Sequence, residues 1–438
     1  MILRRVMPAA AMAAGLWGQG GGYSGPSILS RGQAPSVNAE AQTGIRPYLG
    51  ANFLYDSNLA GVTRLDADGR VRGADSYGVQ AHGGLTGYHR WKRTSLGLDY
   101  RGNYRHYTRR VGYNGADHLF SLGVSHQVSK RLEVSLRESA GSFVRSFLFV
   151  NASGFFNSEF VPLPDDELFD FRAKYLSSSA DMTYQQSART SMRLGAAGYA
   201  VRREKGLFGL NGATARGDIA YRYSRFGTVG LEYNFTHFTF VRAFGTSDIH
   251  TLALNFSHRL SRNWELALRL GAARVESLFL RRVTLDPEIA AIIGRSGGIE
   301  ASYRTHYVPE LHARLARGFR QGNLHFSYRQ GVNPGNGIIL TSRRQTGEAG
   351  YTYTGVRYWH FTVSGGYSQR SALEQTTGKW QSSHVGLGAT REMGKDFHAV
   401  VRIDGRRYEV NRTNFKRDAY RVSVGFAWSP GDIPLALW

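Results

Sequence analysis

The residues best suited to chemistry in this sequence are arginines. Arg101, Arg105, Arg137, Arg193, Arg216, Arg222, Arg269, Arg314, Arg329, Arg402 and Arg421 fall on the polar side of stretches in which apolar and polar residues alternate. A guanidinium offers a planar fork of N–H donors that fits the paired oxygens of carboxylate, phosphate or sulfate. Carboxylates share that side at Asp99, Glu133, Asp218, Glu232, Glu265 and Asp404, in about half the number. A wall with such an excess of bases attracts anions, as rings of Arg or Lys do in pores. The same arginines can also tie to Asp, Glu and Tyr as ladders that only stiffen a wall, and both readings stand at this point.

A second group is acidic. Asp165, Asp166, Glu167 and Asp170 lie among Phe155, Phe156, Phe160 and Phe169 in the segment 147–175. That mixture is too apolar to lie bare. It predicts a loop that folds inward and sets acids opposite arginines as a constriction, or else an extracellular cap or subunit contact. A third group is conformational. Asp286-Pro287-Glu288 leads into Ile289 to Ile293 and ends at Gly294, the cap, first-turn proline and terminal glycine of a short helix. Such a helix could plug the lumen or simply stiffen its loop.

Nucleophilic and metal chemistry find little here. With no Cys there is no thiolate. Neither Gly-x-Ser-x-Gly nor His-Glu-x-x-His occurs. Among 14 His, His118, His126, His250 and His258 sit on the apolar register near strand ends, where interfacial packing suits them. The expectation is no catalytic residue, no metal and no cofactor. A hydrolase with Ser, His and carboxylates spread over several strands is the less favoured alternative. Nucleic acid is not an expected partner despite 55 Lys plus Arg against 33 Asp plus Glu, because the bases alternate and do not cluster.

The elements that must position these side chains are strands. In Thr94 to Tyr107, Leu96, Leu98, Tyr100 and Tyr104 share one face while Asp99, Arg101, Asn103 and Arg105 share the other. Val229 to Phe235, Leu252 to Phe256, Trp264 to Leu270 and Tyr420 to Trp428 repeat the pattern. These stretches run about 10–15 residues, enough to cross a bilayer at a tilt and longer than the usual strand of a soluble sandwich. Short connections at 91–93, 129–131, 187–189, 225–227, 261–263, 320–322, 355–357 and 394–396 alternate with longer ones. The longer ones include 57–76, 147–175 and 276–300. Short turns on one side and long loops on the other describe an all-β transmembrane antiparallel barrel of about 18 strands, with short turns periplasmic. Sixteen strands result if the loosely alternating stretches 297–318 and 337–354 are not strands. Trp91, Phe226, Trp264, Phe319, Tyr358, Trp359 and Phe397 flank the short turns, as an interfacial girdle requires.

The ends read differently. Arg4 and Arg5 followed by an apolar run to Trp17 predict a signal peptide over 1–20. A disordered periplasmic leader follows over 21–43, then the barrel over 44–430 and a tail over 431–438. Pro430 and Pro434 interrupt the final strand signal that Trp438 would complete.

Leu49-Gly-Ala-Asn-Phe-Leu-Tyr-Asp-Ser-Asn-Leu59 resembles the opening strand of the beta-barrel porin 2 group, which is similar to barrels encoded with bacterial exopolysaccharide operons. Gly331-Val-Asn-Pro-Gly-Asn-Gly337 resembles the Gly-rich loops of such barrels. The resemblance implies an outer-membrane pore linked to polysaccharide and names no substrate. Together these readings predict an outer-membrane pore or export channel with a basic lumen for anionic solutes or acidic exopolysaccharide. The alternative is a structural or adhesion barrel whose loops bind partners. Expected partners are outer-membrane lipid, the barrel-assembly machinery, and small anions or acidic polysaccharide.

Overall fold

An alternating stretch is stable as a strand when its two faces meet different media. In the computed structural model, described over residues 46–57, 75–108, 114–143, 172–203, 208–284, 286–334, 340–373, 379–394, 396–410 and 416–429, each alternating stretch is a strand. In chain order they are β1 (Arg46–Asp56), β2 (Ser76–Arg90), β3 (Thr94–Tyr107), β4 (Gly115–Gln127), β5 (Leu132–Phe143) and β6 (Ala173–Gln185). Next come β7 (Thr190–Arg203), β8 (Gly209–Tyr221), β9 (Gly227–Val241), β10 (Gly245–His258), β11 (Trp264–Thr284) and β12 (Gly297–Phe319). The last are β13 (Gly322–Pro334), β14 (Thr341–Val356), β15 (Trp359–Ala372), β16 (Trp380–Glu392), β17 (Phe397–Val410) and β18 (Lys416–Trp428). Each pairs antiparallel with its chain neighbours, and β1 pairs with β18 from Leu49↔Trp428 to Asp56↔Arg421. The 18-stranded sheet is therefore a closed barrel without an open seam.

The two faces are inverted relative to a soluble protein. Phe53, Leu231, Leu254, Ile403 and Phe426 are exposed on the outside, whereas Asp99, Arg105, Asp404 and Arg421 are buried on the inside. An apolar exterior around a polar interior is stable only where the outer medium is hydrocarbon. The chain is an outer-membrane β-barrel. Its girdle surrounds the short turns, where Arg317 stacks 5.0 Å from the Trp264 ring and 4.5 Å from Phe319. Arg391 lies 5.4 Å from Trp359. The four histidines on the outer register bond neighbouring side chains. His118 pairs with Tyr100, His126 with Thr94, His250 with Tyr233 and His258 with Tyr223, all at 2.7–3.0 Å.

Two stretches with loose alternation are strands all the same, which fixes the count at 18. The span 276–300, expected as a loop, is mostly the continuation of β11 and β12, capped by helix α1 (Pro287–Ile293). The Asp286 side chain accepts from Glu288 N–H at the start of α1, and Gly294 ends it with φ 69°, a left-handed conformation that glycine adopts freely. β12 pairs with β11 over its whole length but with β13 only from Leu311 to Phe319. The acidic loop residues Asp165, Asp166, Glu167 and Asp170 lie outside the described residues, as do the predicted signal peptide, leader and tail.

Candidate functional site: the lumen wall

The pleat of β3 turns Asp99, Arg101, Asn103, Arg105 and Tyr107 to the lumen and Leu98, Tyr100 and Tyr104 to lipid. Arg101 donates two bonds to Asp99, at 2.9 and 3.0 Å. Arg105 Nη2 donates to Asp117 on β4 at 2.5 Å, and Asn103 donates to the same carboxylate at 3.2 Å. Antiparallel register sets this geometry, because Asn103 stands opposite Asp117.

Barrel closure builds a second cluster. Asp56, the last residue of β1, accepts from Arg421 Nε of β18 at 2.6 Å and from the Tyr107 hydroxyl of β3 at 2.7 Å. Arg421 Nη2 donates to the same hydroxyl at 2.9 Å. All three are buried, Asp56 to 1% exposure. The adjoining Ser57 N–H donates to Tyr420 O at 2.8 Å, and Tyr420 N–H returns a bond to Ser57 Oγ at 2.9 Å. Glycine makes room for a third pair. Arg402 donates to both oxygens of Asp404 at 2.6 and 2.7 Å. The facing residues on β16 are Gly388 and Gly386, and a Cβ on Gly386 would stand 2.8 Å from the Asp404 carboxylate.

On the opposite side, Arg216 donates to Asp181 at 2.6 Å, and Arg193 lies between Asp181 at 3.4 Å and Asp218 at 3.9 Å. Arg269 bridges Glu232 at 3.0 Å and Glu310. Asn255 donates to Glu232 at 2.8 Å. Thus Arg101, Arg105, Arg193, Arg269, Arg402 and Arg421 each have a carboxylate partner on the wall. Arg137 is on the inner face opposite Gly123 and Ser179. Arg222 is not in a strand, and its Nε donates to Ser224 O in the short connection between β8 and β9. Arg314 and the exposed Arg329 also face inward, across from Ser327 and His312.

Several wall residues were not singled out in the sequence. Asp181 sits on the polar face of β6, where the Ser177-x-Ser179-x-Asp181 alternation could have marked it. Arg344 of β14 stands directly opposite Arg370 of β15. The larger surprise is apolar. Phe143, Tyr175, Tyr199, Val201, Leu210, Phe238, Ile249, Val275 and Val308 form one buried cluster on the inner face of β5–β12. Val332 of β13 and Leu373 after β15 pack against it. Ser247 of β10 bonds Ser277 of β11 at 3.0 Å and Thr341 of β14 at 2.7 Å. The start of β14 therefore reaches the inner face of β10. Among the described residues no group of three His, Asp or Glu side chains is placed to hold a metal ion.

No family model matches the sequence, and no curated protein matches it. The likeness of Leu49–Leu59 to the porin 2 group therefore rests on those residues. Among solved structures, the chain is similar to Pseudomonas aeruginosa OccK2 (OpdF) in complex with glucuronate, with 13% identity over 89% of this chain and 100% of that one and a TM-score of 0.44. It is similar to P. aeruginosa OccK5 (OpdH), with 13% identity over 88% and 98% and a TM-score of 0.42. A BenF-like porin from Pseudomonas fluorescens Pf-5 is similar at 10% identity over 88% and 98%, with a TM-score of 0.41.

Proposed function

We propose that the chain is an outer-membrane pore whose lumen favours anionic solutes. The observation that carries this is the sign of the wall on β12–β18. There the inner register holds Arg314, Arg329, Arg344, Arg370, Arg402, Arg406, Arg417 and Arg421 against the carboxylates of Glu310, Glu348, Glu392 and Asp404. Arg344 opposite Arg370 places like charges side by side, which sharpens the positive potential of that arc. A barrel of this strand number has the girth for an aqueous path. Acidic exopolysaccharide is the extended form of the same reading, supported by the sequence resemblance and the same arginines.

A structural or adhesive barrel is the second reading. It is favoured by the start of β14, where Thr341 turns inward to bond Ser247 of β10.

The test is a planar bilayer under a salt gradient. The reversal potential should show chloride preferred over potassium. The preference should weaken at high salt as the Debye length falls from about 10 Å at 0.1 M to about 3 Å at 1 M. Arg329→Glu, at an exposed inward position, should lower the preference. An acidic polysaccharide added on one side should block the current if it enters the same path. A folded barrel that conducts nothing moves the conclusion to the structural reading. A cation-selective current rejects the arginine mechanism.

A further inference from the structure

We infer that the short-turn rim of the barrel is a binding surface for anionic phospholipid of the periplasmic leaflet. The seven turns whose residues are all described each carry an exposed cation: Lys92, Lys130, Arg189, Arg225, Arg262, Arg320 and Arg357. The eighth, at 393–396, has Lys395 in its sequence. Asp396 is the one carboxylate among the described residues of all eight turns. Among the described residues, none of the seven cations is in an ion pair. β1 begins and β18 ends at this rim, and the sequence flanking them, 21–45 and 430–438, adds only Glu40 and Asp432 as acids. The rim therefore carries a large excess of positive charge.

Four guanidinium groups show how deep this charge sits. Trp264 stands opposite Arg317 and Trp359 opposite Arg391, all on the lipid-facing register. Arg317 lies over the Trp264 and Phe319 rings, and Arg391 over Trp359. In the turns, Arg225 lies 4.7 Å from the Phe226 ring and Arg357 lies 4.7 Å from Tyr358. Aromatic rings of a girdle sit at the level of the lipid headgroups. Guanidinium groups held over those rings are set at the level of the phosphates, which they bind through paired N–H donors.

The other end of the outer face is built differently. There Arg407 pairs with Asp418 and Lys416 with Glu409, each at 3.4 Å, and Arg274 pairs with Glu276. Positive charge is neutralised beside the long loops and left over beside the short turns. The occupant follows from this asymmetry and from the depth of the arginines. A soluble acidic partner would meet the turn tips alone, whereas Arg317 and Arg391 lie on strands and face the bilayer. A phospholipid with a net negative headgroup reaches both sets. Each Lys or Arg near an anionic membrane surface adds to the attraction, and here they are spread round the whole circumference.

The full barrel is placed in nanodiscs holding phosphatidylcholine and phosphatidylglycerol in equal amounts and released into mild detergent. The lipid it retains is counted by native mass spectrometry. Phosphatidylglycerol should be retained roughly threefold over phosphatidylcholine. The ratio should fall toward parity at about 1 M salt, where the Debye length is about 3 Å. Arg225→Gln, Arg317→Gln, Arg357→Gln and Arg391→Gln combined should also bring it to parity. Arg407→Gln with Lys416→Gln, at the long-loop end, should leave it unchanged. Heat-modifiable migration reports whether each variant folds. If the quadruple variant does not, Arg225→Gln with Arg357→Gln, both confined to turns, should lower the ratio by itself. Equal retention of the two lipids by the native barrel overturns the inference, as does a preference that survives loss of the rim arginines. A preference removed by the long-loop pair overturns it too, because the headgroups would then sit at the other end. Binding of poly-glutamate without any lipid preference assigns the rim to a soluble acidic partner instead. None of these readouts depends on whether the barrel conducts.

Discussion

The inner wall is buried in two opposite ways. On the arc that joins β17 and β18 to β1–β4, buried charges pair among apolar residues such as Leu54 and Val400: Asp56 with Arg421 and Tyr107, Arg105 with Asp117, Arg402 with Asp404. On the arc of β5–β12, toward the long-loop end, they are Phe143, Tyr175, Val201, Leu210, Phe238 and Val275. The apolar arc gains stability from area removed from water, roughly 25 cal/mol per Å². The charged arc gains little from burial itself, because desolvation offsets most of the Coulomb attraction. What it gains is definition. A guanidinium bound through two nitrogens accepts only one register of its neighbours, whereas packed Leu and Phe tolerate small slips.

Substitutions can break or sharpen that contrast. The largest effect is expected for Asp56→Ala, which leaves Arg421 buried without its carboxylate and should cost about 3–5 kcal/mol in urea unfolding from lipid. Replacing both partners, Asp56→Leu with Arg421→Met, should recover much of that loss. A double variant as unstable as the single one would mean that the charged arc depends on packing like its counterpart. Phe238→Ala, in the apolar cluster, should cost about 3–5 kcal/mol by transfer and cavity together. There no second substitution of opposite polarity can rescue it. Leu98→Arg, on the lipid side, should cost about 2–4 kcal/mol and slow assembly measured by heat-modifiable migration. Smallest is Ser247→Ala, which removes the hydroxyl bridge from the start of β14 to β10. About 1 kcal/mol is expected, with increased amide exchange at Thr341 as the direct readout.

Much of the barrel was legible because lipid imposes a period of two. Leu98 beside Asp99 states which way β3 faces, and the short turns with their aromatic flanks state where the strands end. The pattern faded where the medium changed. β12 pairs with β13 only from Leu311 to Phe319, and above that Arg274 and Glu276 of β11 stand on the outer register opposite Tyr307 and Thr305, which blurs the alternation. β14 carries Gln345 on its outer register, bonded to Gln330 at 2.7 Å, where an apolar residue would have kept the alternation. The candidate arginines were found on the inner face by parity alone, Arg222 excepted, since parity says nothing of where a strand stops. Their partners were out of reach. Arg421 and Asp56 are 365 residues apart, and only closure makes them neighbours. The apolar arc was hidden for a related reason. Phe238 stands between His237 and Thr239, and Val275 between Arg274 and Glu276, so near the long-loop end the alternation inverts and the apolar register points inward.

The clasp at Asp56 also orders events in time. The carboxylate is made early in synthesis, and the guanidinium that neutralises it arrives only with the final strand. Until then Asp56 and Tyr107 remain solvated on an open sheet. A chain truncated before Arg421 would present the first strand with a charge it cannot bury, and ring closure would stall at the step that commits the protein to the membrane. The seam thus closes on a contact whose partners come from the first and the last strands of the barrel.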